Sequence, residues 1–161
     1  MGNHGPGFEV RLLREQEVDE VIRVWHASKQ VAYPYLPTEQ GLTLADNTRL
    51  FHQIILPRNQ VWVACGEQGV AGFLGIDGDY IDRLYVHPDR QGQGAGSALM
   101  QQAQQLSPAG LRLHTHQQNH QARAFYERRG FRAVKFGISP PPESAPDVEY
   151  HWTPPSTAPE G

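Results

Sequence analysis

The stretch from Leu84 to Met100 constrains the fold more than any other part of this chain. It opens as an apolar strand through Leu84, Tyr85 and Val86, meets a proline at 88, passes glycines at 92, 94 and 96, and ends in a helix-forming run through Ala98, Leu99 and Met100. Glycine lets a backbone come close to a ligand and adopt positive φ. The N–H groups of a first helical turn have no partner inside the helix, and the helix dipole favours an anion there. Strand, glycine turn and helix N-terminus together therefore make a phosphate cradle. Two familiar cradles do not match. Gly96 and Ser97 are not joined by the lysine of a P-loop. A dinucleotide fingerprint needs a third glycine and an acid about twenty residues on, and no Asp or Glu occurs between Arg90 and Tyr126.

Around this stretch the chain alternates short strands and helices. Phe8 to Arg14 reads as a strand, and Val18, Val21, Ile22 and Trp25 recur at helical spacing up to Tyr33 and Pro34. A second helix is expected over Leu44 to Leu56, ended by Pro57. Three runs, Gln60 to Cys65, Gly69 to Ile76 and Tyr80 to Val86, are separated by turn residues and read as an antiparallel meander. After the glycines come a helix to about Leu106, a strand over Leu111 to Thr115, a helix over Asn119 to Arg129, a strand over Phe131 to Phe136 and a last strand at Val148, Tyr150 and Trp152. The fold class is α+β, with a mixed sheet and helices on both faces. Seven of the thirteen prolines follow Ile138, so the 139–146 connection and the tail are expected to be extended or disordered. The organisation is a flexible N-terminus over 1–7, one domain over 8–153 and a flexible proline-rich tail over 154–161.

Composition narrows the function classes. At 161 residues, with 39% hydrophobic and 19% charged residues, the chain can bury one core and is not a disordered tail. Its best apolar run, Val70 to Ile76, is far short of the ~20 residues of a membrane-spanning helix. Met1 to Pro6 lacks a basic-then-apolar signal. A single cysteine, Cys65, excludes an internal disulfide and fits a reducing cytoplasm. The net charge of −3 argues against nucleic acid, but it is an average: Arg90 to Lys135 carries seven basic residues against Glu127 alone, a local +6 set against −9 elsewhere. That suggests a local anion site, with a chance cluster on a solvated face as the reading that charge alone favours.

The spacing also resembles a family. Gln91-x-x-Gly94-x-Gly96, following Leu84 to Pro88, is similar to the Q/R-x-x-G-x-G/A cofactor motif of the GNAT N-acetyltransferase superfamily. Downstream, Asn119-x-x-Ala122-x-x-x-Tyr126-x-x-x-Gly130-Phe131 resembles the family's Asn…Ala…Tyr-Glu-x-x-Gly-Phe segment. The two motifs span 84–131, and the element order over 8–153 fits the family's fold, a twisted, largely antiparallel sheet of about seven strands splayed in the middle.

The resemblance implies an enzyme that moves the acetyl group of acetyl-CoA to a primary amine of a small molecule or an amino terminus, by direct attack in a ternary complex. It assigns the pyrophosphate to Gln91, Gly92, Gln93, Gly94, Ala95, Gly96 and Ser97, and the pantetheine arm to the strand Leu84, Tyr85, Val86. Asn119 has two readings, a helix N-cap and a cofactor contact. Arg123, with Arg128 and Arg129, is assigned to the cofactor's 3′-phosphate or adenine, with a solvated helix face as the alternative. Tyr126 is the implied acid for the departing thiolate. Asp82, two residues before Leu84 and so expected on the same strand face, is the candidate base. The family often has a Glu earlier on this strand, where this chain has Tyr80. Trp25, Tyr33 and Tyr35 are assigned to the acceptor pocket, with core packing as the alternative for Trp25. His114, His116 and His120 hint at a metal, but no carboxylate or thiol completes a set, so no metal is expected. No nucleic-acid or membrane partner is expected, and the family's habit allows a homodimer. The competing reading is a sensor that binds acyl-CoA without turnover.

Overall fold

A computed structural model describes residues 3–5 and 7–155. Its strands are β1 (Asn3–Gly5), β2 (Phe8–Leu12), β3 (Gln60–Gly66), β4 (Gly69–Asp77), β5 (Tyr80–Val86), β6 (Leu111–His116), β7 (Arg132–Ile138) and β8 (Pro146–Trp152). They form one sheet in the order β1-β2-β3-β4-β5-β6-β8-β7. All neighbours are antiparallel except β5 and β6. The eighth strand is β1. It lies in the segment read as a flexible lead-in, and it is ordered by pairing Asn3–Gly5 against Phe8–Val10.

The helices are α1 (Val18–Ala32), α2 (Pro37–Gln40), α3 (Leu44–Leu50), α4 (Leu56–Arg58), α5 (Ala95–Leu106) and α6 (His120–Arg128). Two apolar clusters sit on opposite faces of the sheet. One joins α5 and α6 to Leu74, Ile81, Leu113 and Tyr150, and the other joins α1 to Phe51, Val63 and Phe73. Among the described residues no helix is long and apolar enough to cross a membrane. The expected stop at Pro57 is displaced: α3 runs through a widened π turn (Phe51–Ile55) into α4, and Pro57 sits inside that last turn. A wide turn and a first-turn position spare the missing proline N–H. Asn59 closes the end by donating its backbone and side-chain N–H groups to the Ile55 carbonyl at 3.0 and 3.1 Å.

The 139–146 connection is not an open excursion. Ser139 and Ala145 exchange backbone and hydroxyl hydrogen bonds at 2.8 and 2.9 Å, which close it into a loop over the sheet. The 154–161 reading falls mostly outside the described residues.

Trp25 does not reach an acceptor pocket. It is 2% exposed, packs its ring 5.9 Å from Phe51, and carries the Lys29 ammonium 3.9 Å above its face. Lys29 in turn donates to Asn47 and pairs with Glu39, both at 2.8 Å, so the indole helps bind α1, α2 and α3 together. The helical spacing that put Trp25 on the inner face of α1 also put it under the sheet, one layer below the cleft. Trp25→Ala should therefore act on stability, costing about 3–5 kcal/mol. Thermal unfolding followed by circular dichroism should show a fall in Tm of about 10 °C or more.

Candidate active site

Strands β5 and β6 pair only at Tyr80 with Arg112 and Ile81 with Leu113, then separate. The fork opens into a cleft of about 1390 Å³ that runs from α5 and α6 across to the end of α1. Residues in a strand turn their backbone groups alternately to either neighbour. His87 donates its N–H to Ala71 of β4 at 2.8 Å, so Tyr85 also faces β4 while Leu84 and Val86 face the open edge. The Val86 carbonyl has taken side-chain partners instead, with the Ser28 hydroxyl 3.0 Å away and the Gln91 amide 3.4 Å away. Leu84 and the Val86 N–H thus face the open edge without a strand partner. Tyr85 does not: its backbone belongs to β4, and its ring stacks on Phe73 on the other face.

The glycine turn faces this edge. Gly94 caps α5 with φ +99°, a left-handed conformation that side chains resist. A Cβ on Gly96 would meet the Phe125 ring at 3.2 Å, a tight contact that the glycine avoids where α5 seats against α6. Gln91, Gly92, Gly94, Ala95, Gly96 and Ser97 all border the cleft, whereas the Gln93 side chain leans away toward Arg90. Arg129 lays its guanidinium 3.7 Å over the Phe125 ring and donates to the Ser97 hydroxyl, bringing a fixed positive charge to the first turn of α5. Arg90 and Arg128 border the same end. The cradle therefore fits a polyphosphate in both shape and charge.

Arg123 is elsewhere. It donates to the Tyr150 hydroxyl at 3.1 Å and the Gln117 carbonyl at 3.2 Å, and lies over Phe136 outside the cleft. At about 100° per residue, five and six positions along a helix turn a side chain by about 140° and about 240°, which separates Arg123 from Arg128 and Arg129. Asn119 borders the cleft and is an N-cap, its side-chain oxygen accepting from the Ala122 N–H at 3.1 Å.

Tyr126 projects from α6 into the fork, held between Phe125 and Phe131 at ring distances of 5.4 and 5.5 Å. Burial, reinforced by Tyr85 and Tyr80, holds its phenol well above the ordinary value. Tyr33 and Tyr85 meet it from the α1 side, their hydroxyls 3.0 Å apart, and burial pushes both phenols up. Asp82 lines the cleft but not on the face expected. A bulge between Gly75–Arg83 and Ile76–Ile81 inserts one extra residue into β5. Leu84 then packs toward α5, while the Asp82 carboxylate turns to the α1 face, accepting from the Asn59 amide at 2.8 Å with Arg83 3.8 Å away.

The acceptor half also holds residues the sequence did not assign to it. His116 lies 2.8 Å from the Glu143 carboxylate and 3.1 Å from the Tyr35 hydroxyl, and its ring centroid is 4.8 Å from that of Tyr33. The His114-x-His116 alternation was visible, but Glu143 comes from the loop read as disordered. His114 instead binds the Tyr80 hydroxyl at 2.8 Å with Glu149 at 3.7 Å. Lys29, Glu39 and Arg83 complete this wall.

Comparison with known proteins agrees with this geometry. Residues 57–133 match the family model for an acetyltransferase (GNAT) domain. The chain is 32% identical over 128 residues to the peptidyl-lysine N-acetyltransferase YjaB of Escherichia coli (strain K12), spanning 79% of this chain and 84% of that one. The solution structure of apo-form YjaB from Escherichia coli superposes with a TM-score of 0.72 at 26% identity, over 90% of this chain and 97% of that chain. The PaiA N-acetyltransferase of Thermoplasma acidophilum, solved in complex with coenzyme A, shares the fold with a TM-score of 0.66 at 19% identity, over 91% and 98% of the two chains. With this likeness running across most of both sequences, the protein belongs to the GNAT family of N-acetyltransferases.

Proposed function

We propose that this chain transfers the acetyl group of acetyl-CoA to a primary amine by direct attack in a ternary complex. The observation that carries the reading is the meeting, at one fork, of an open strand edge, an anion cradle and a buried phenol. The coenzyme A in the PaiA structure supports the choice of donor. Bound acetyl-CoA would supply its acyl group as a thioester, already activated toward an amine. The open edge at Leu84 and Val86 would hold its pantetheine arm as an added strand. The Val86 N–H, fixed at the fork, is suited to stabilise charge on the thioester oxygen, a contribution of roughly 3 kcal/mol in such sites. The first turn of α5, with Arg129 on Ser97, would hold the pyrophosphate. The only cysteine, Cys65, pairs with Arg11 on β3 outside the cleft, which leaves no thiol to carry the acyl group.

Because burial raises the Tyr126 phenol, it stays protonated across the neutral range and is available as the acid for the leaving thiolate. For the acceptor, relatives named peptidyl-lysine N-acetyltransferases point to a lysine side chain in place of the small molecule or amino terminus read from sequence. The cleft supports this. Tyr33, Tyr35 and Tyr80 offer flat walls to an aliphatic stem, and Glu143 at the mouth offers negative charge to an ammonium.

Tyr126→Phe should lower kcat about a hundredfold while leaving acetyl-CoA affinity within about twofold. Thiol release with a lysine peptide and calorimetric titration with acetyl-CoA would measure the two effects. Tight cofactor binding by wild type with no turnover on lysine peptides, free amines or amino-terminal peptides would replace this reading with the sensor. Arg129→Ala should raise the KM for acetyl-CoA about tenfold, the loss of one charge-assisted contact, with kcat at saturation preserved. The corresponding Arg123→Ala should leave that KM unchanged.

A further inference from the structure

The acceptor amine is an ammonium at neutral pH and must lose a proton before it can attack. Asp82 is engaged by Asn59 and Arg83. Another group of side chains in the cleft is better arranged for the task. We propose that Tyr35, His116 and Glu143 form a proton relay, in which Tyr35 touches the acceptor amine and His116, held by Glu143, receives the proton through it. This rests on the acetyltransferase reading and adds the acceptor-side base that Tyr126 does not supply.

The hydrogen-bond chemistry sets the direction. A carboxylate only accepts, so the contact at 2.8 Å to Glu143 requires a proton on His116 Nε2. The neutral ring then has its lone pair on Nδ1, which faces the Tyr35 hydroxyl at 3.1 Å. Tyr35 donates its O–H to Nδ1, leaving its oxygen lone pairs for a donor in the cleft. In the transfer, the ammonium N–H bond breaks and its proton joins the Tyr35 oxygen as the Tyr35 proton passes to Nδ1. The phenol is restored, the amine is neutral, and the imidazolium is balanced by Glu143. Water collects the proton afterwards. Tyr35 never becomes a free phenolate, which suits a phenol that burial, with Glu143, has pushed up to about 12. The His116 side chain is 11% exposed, so its ring is fixed rather than solvated freely. Around it lie Tyr33 and Tyr35 from the end of α1, Glu143 from the closing loop and its cross-strand partner Asp147 on β8. Lys29 lies within electrostatic range of Glu143, and His114 precedes His116 by two on β6.

The test is the pH profile of thiol release from acetyl-CoA with an Nα-blocked lysine peptide, between pH 6 and 10. Wild-type protein should remain active at pH 7, where the peptide amine is an ammonium in solution. His116→Asn should lose about a hundredfold at pH 7 and approach wild type near pH 10, where the peptide deprotonates in solution. Tyr35→Phe should give the same pattern, and Glu143→Gln a smaller deficit of the same shape. Acetyl-CoA binding by calorimetry should be unchanged in all three, which separates a lost relay from a damaged fold. A deficit constant across the pH range, or a wild-type profile in both His116→Asn and Tyr35→Phe, would overturn the relay. Wild-type protein inert toward every amine would overturn the acetyltransferase reading itself, and the relay with it.

Discussion

Everything at this site depends on the failure of β5 and β6 to stay paired. Two residue pairs hold them, at Tyr80–Arg112 and Ile81–Leu113, and beyond these the strands diverge. A parallel pair that continued would satisfy its own backbone and leave nothing for a ligand. Divergence leaves the polar edge at Leu84 and Val86 without a strand partner, and unpaired backbone groups are costly unless water, a side chain or a ligand satisfies them. The side-chain contacts to the Val86 carbonyl from Ser28 and Gln91 show one such stopgap. On one side of the fork α5 presents its first turn, and on the other α1 and its following loop present a wall of phenols. The cleft is the space between two apolar clusters that the same sheet keeps apart.

The two halves of the cleft solve different electrostatic problems. The α5–α6 side gathers positive charge, with Arg129 clamped onto Phe125 and Ser97 and with Arg90 and Arg128 nearby. The α1 side gathers phenols and carboxylates. Its phenols are raised because burial disfavours the phenolate; Tyr85 raises Tyr33 further, while Arg83 and the Tyr33 hydrogen bond partly offset the rise at Tyr85. Such groups stay neutral donors at physiological pH, which suits them to passing or giving protons rather than to carrying charge. The +6 segment is thus not a single patch. Arg112 is tied to Asp79 and Arg123 to Tyr150, so only part of the segment faces the cradle.

Much of this was legible from residue order because its causes are local. Glycines at 92, 94 and 96 before a helix make a cradle whatever surrounds them, and positive φ at Gly92 and Gly94 agrees with that reading. Asn119 as an N-cap and Tyr126 two turns later follow from helical spacing alone. The readings that changed each depended on something non-local. Asp82 switched face because a bulge against β4 broke the two-residue alternation. Trp25 went to the core because α1 lies flat on the sheet, and the Tyr85 backbone turned to β4 rather than to the open edge.

The sequence by itself determined the fold class, the anion cradle and the family, since these rest on short-range periodicity, glycine conformations and motif spacing. Only the tertiary structure decided the chemistry of the acceptor side. His116 and Glu143 are 27 residues apart and meet because β6 and β8 are neighbours and the Ser139–Ala145 loop closes between β7 and β8. No local propensity encodes that meeting. It follows from strand order and loop closure, which are set by burial of the whole sheet rather than by any one segment.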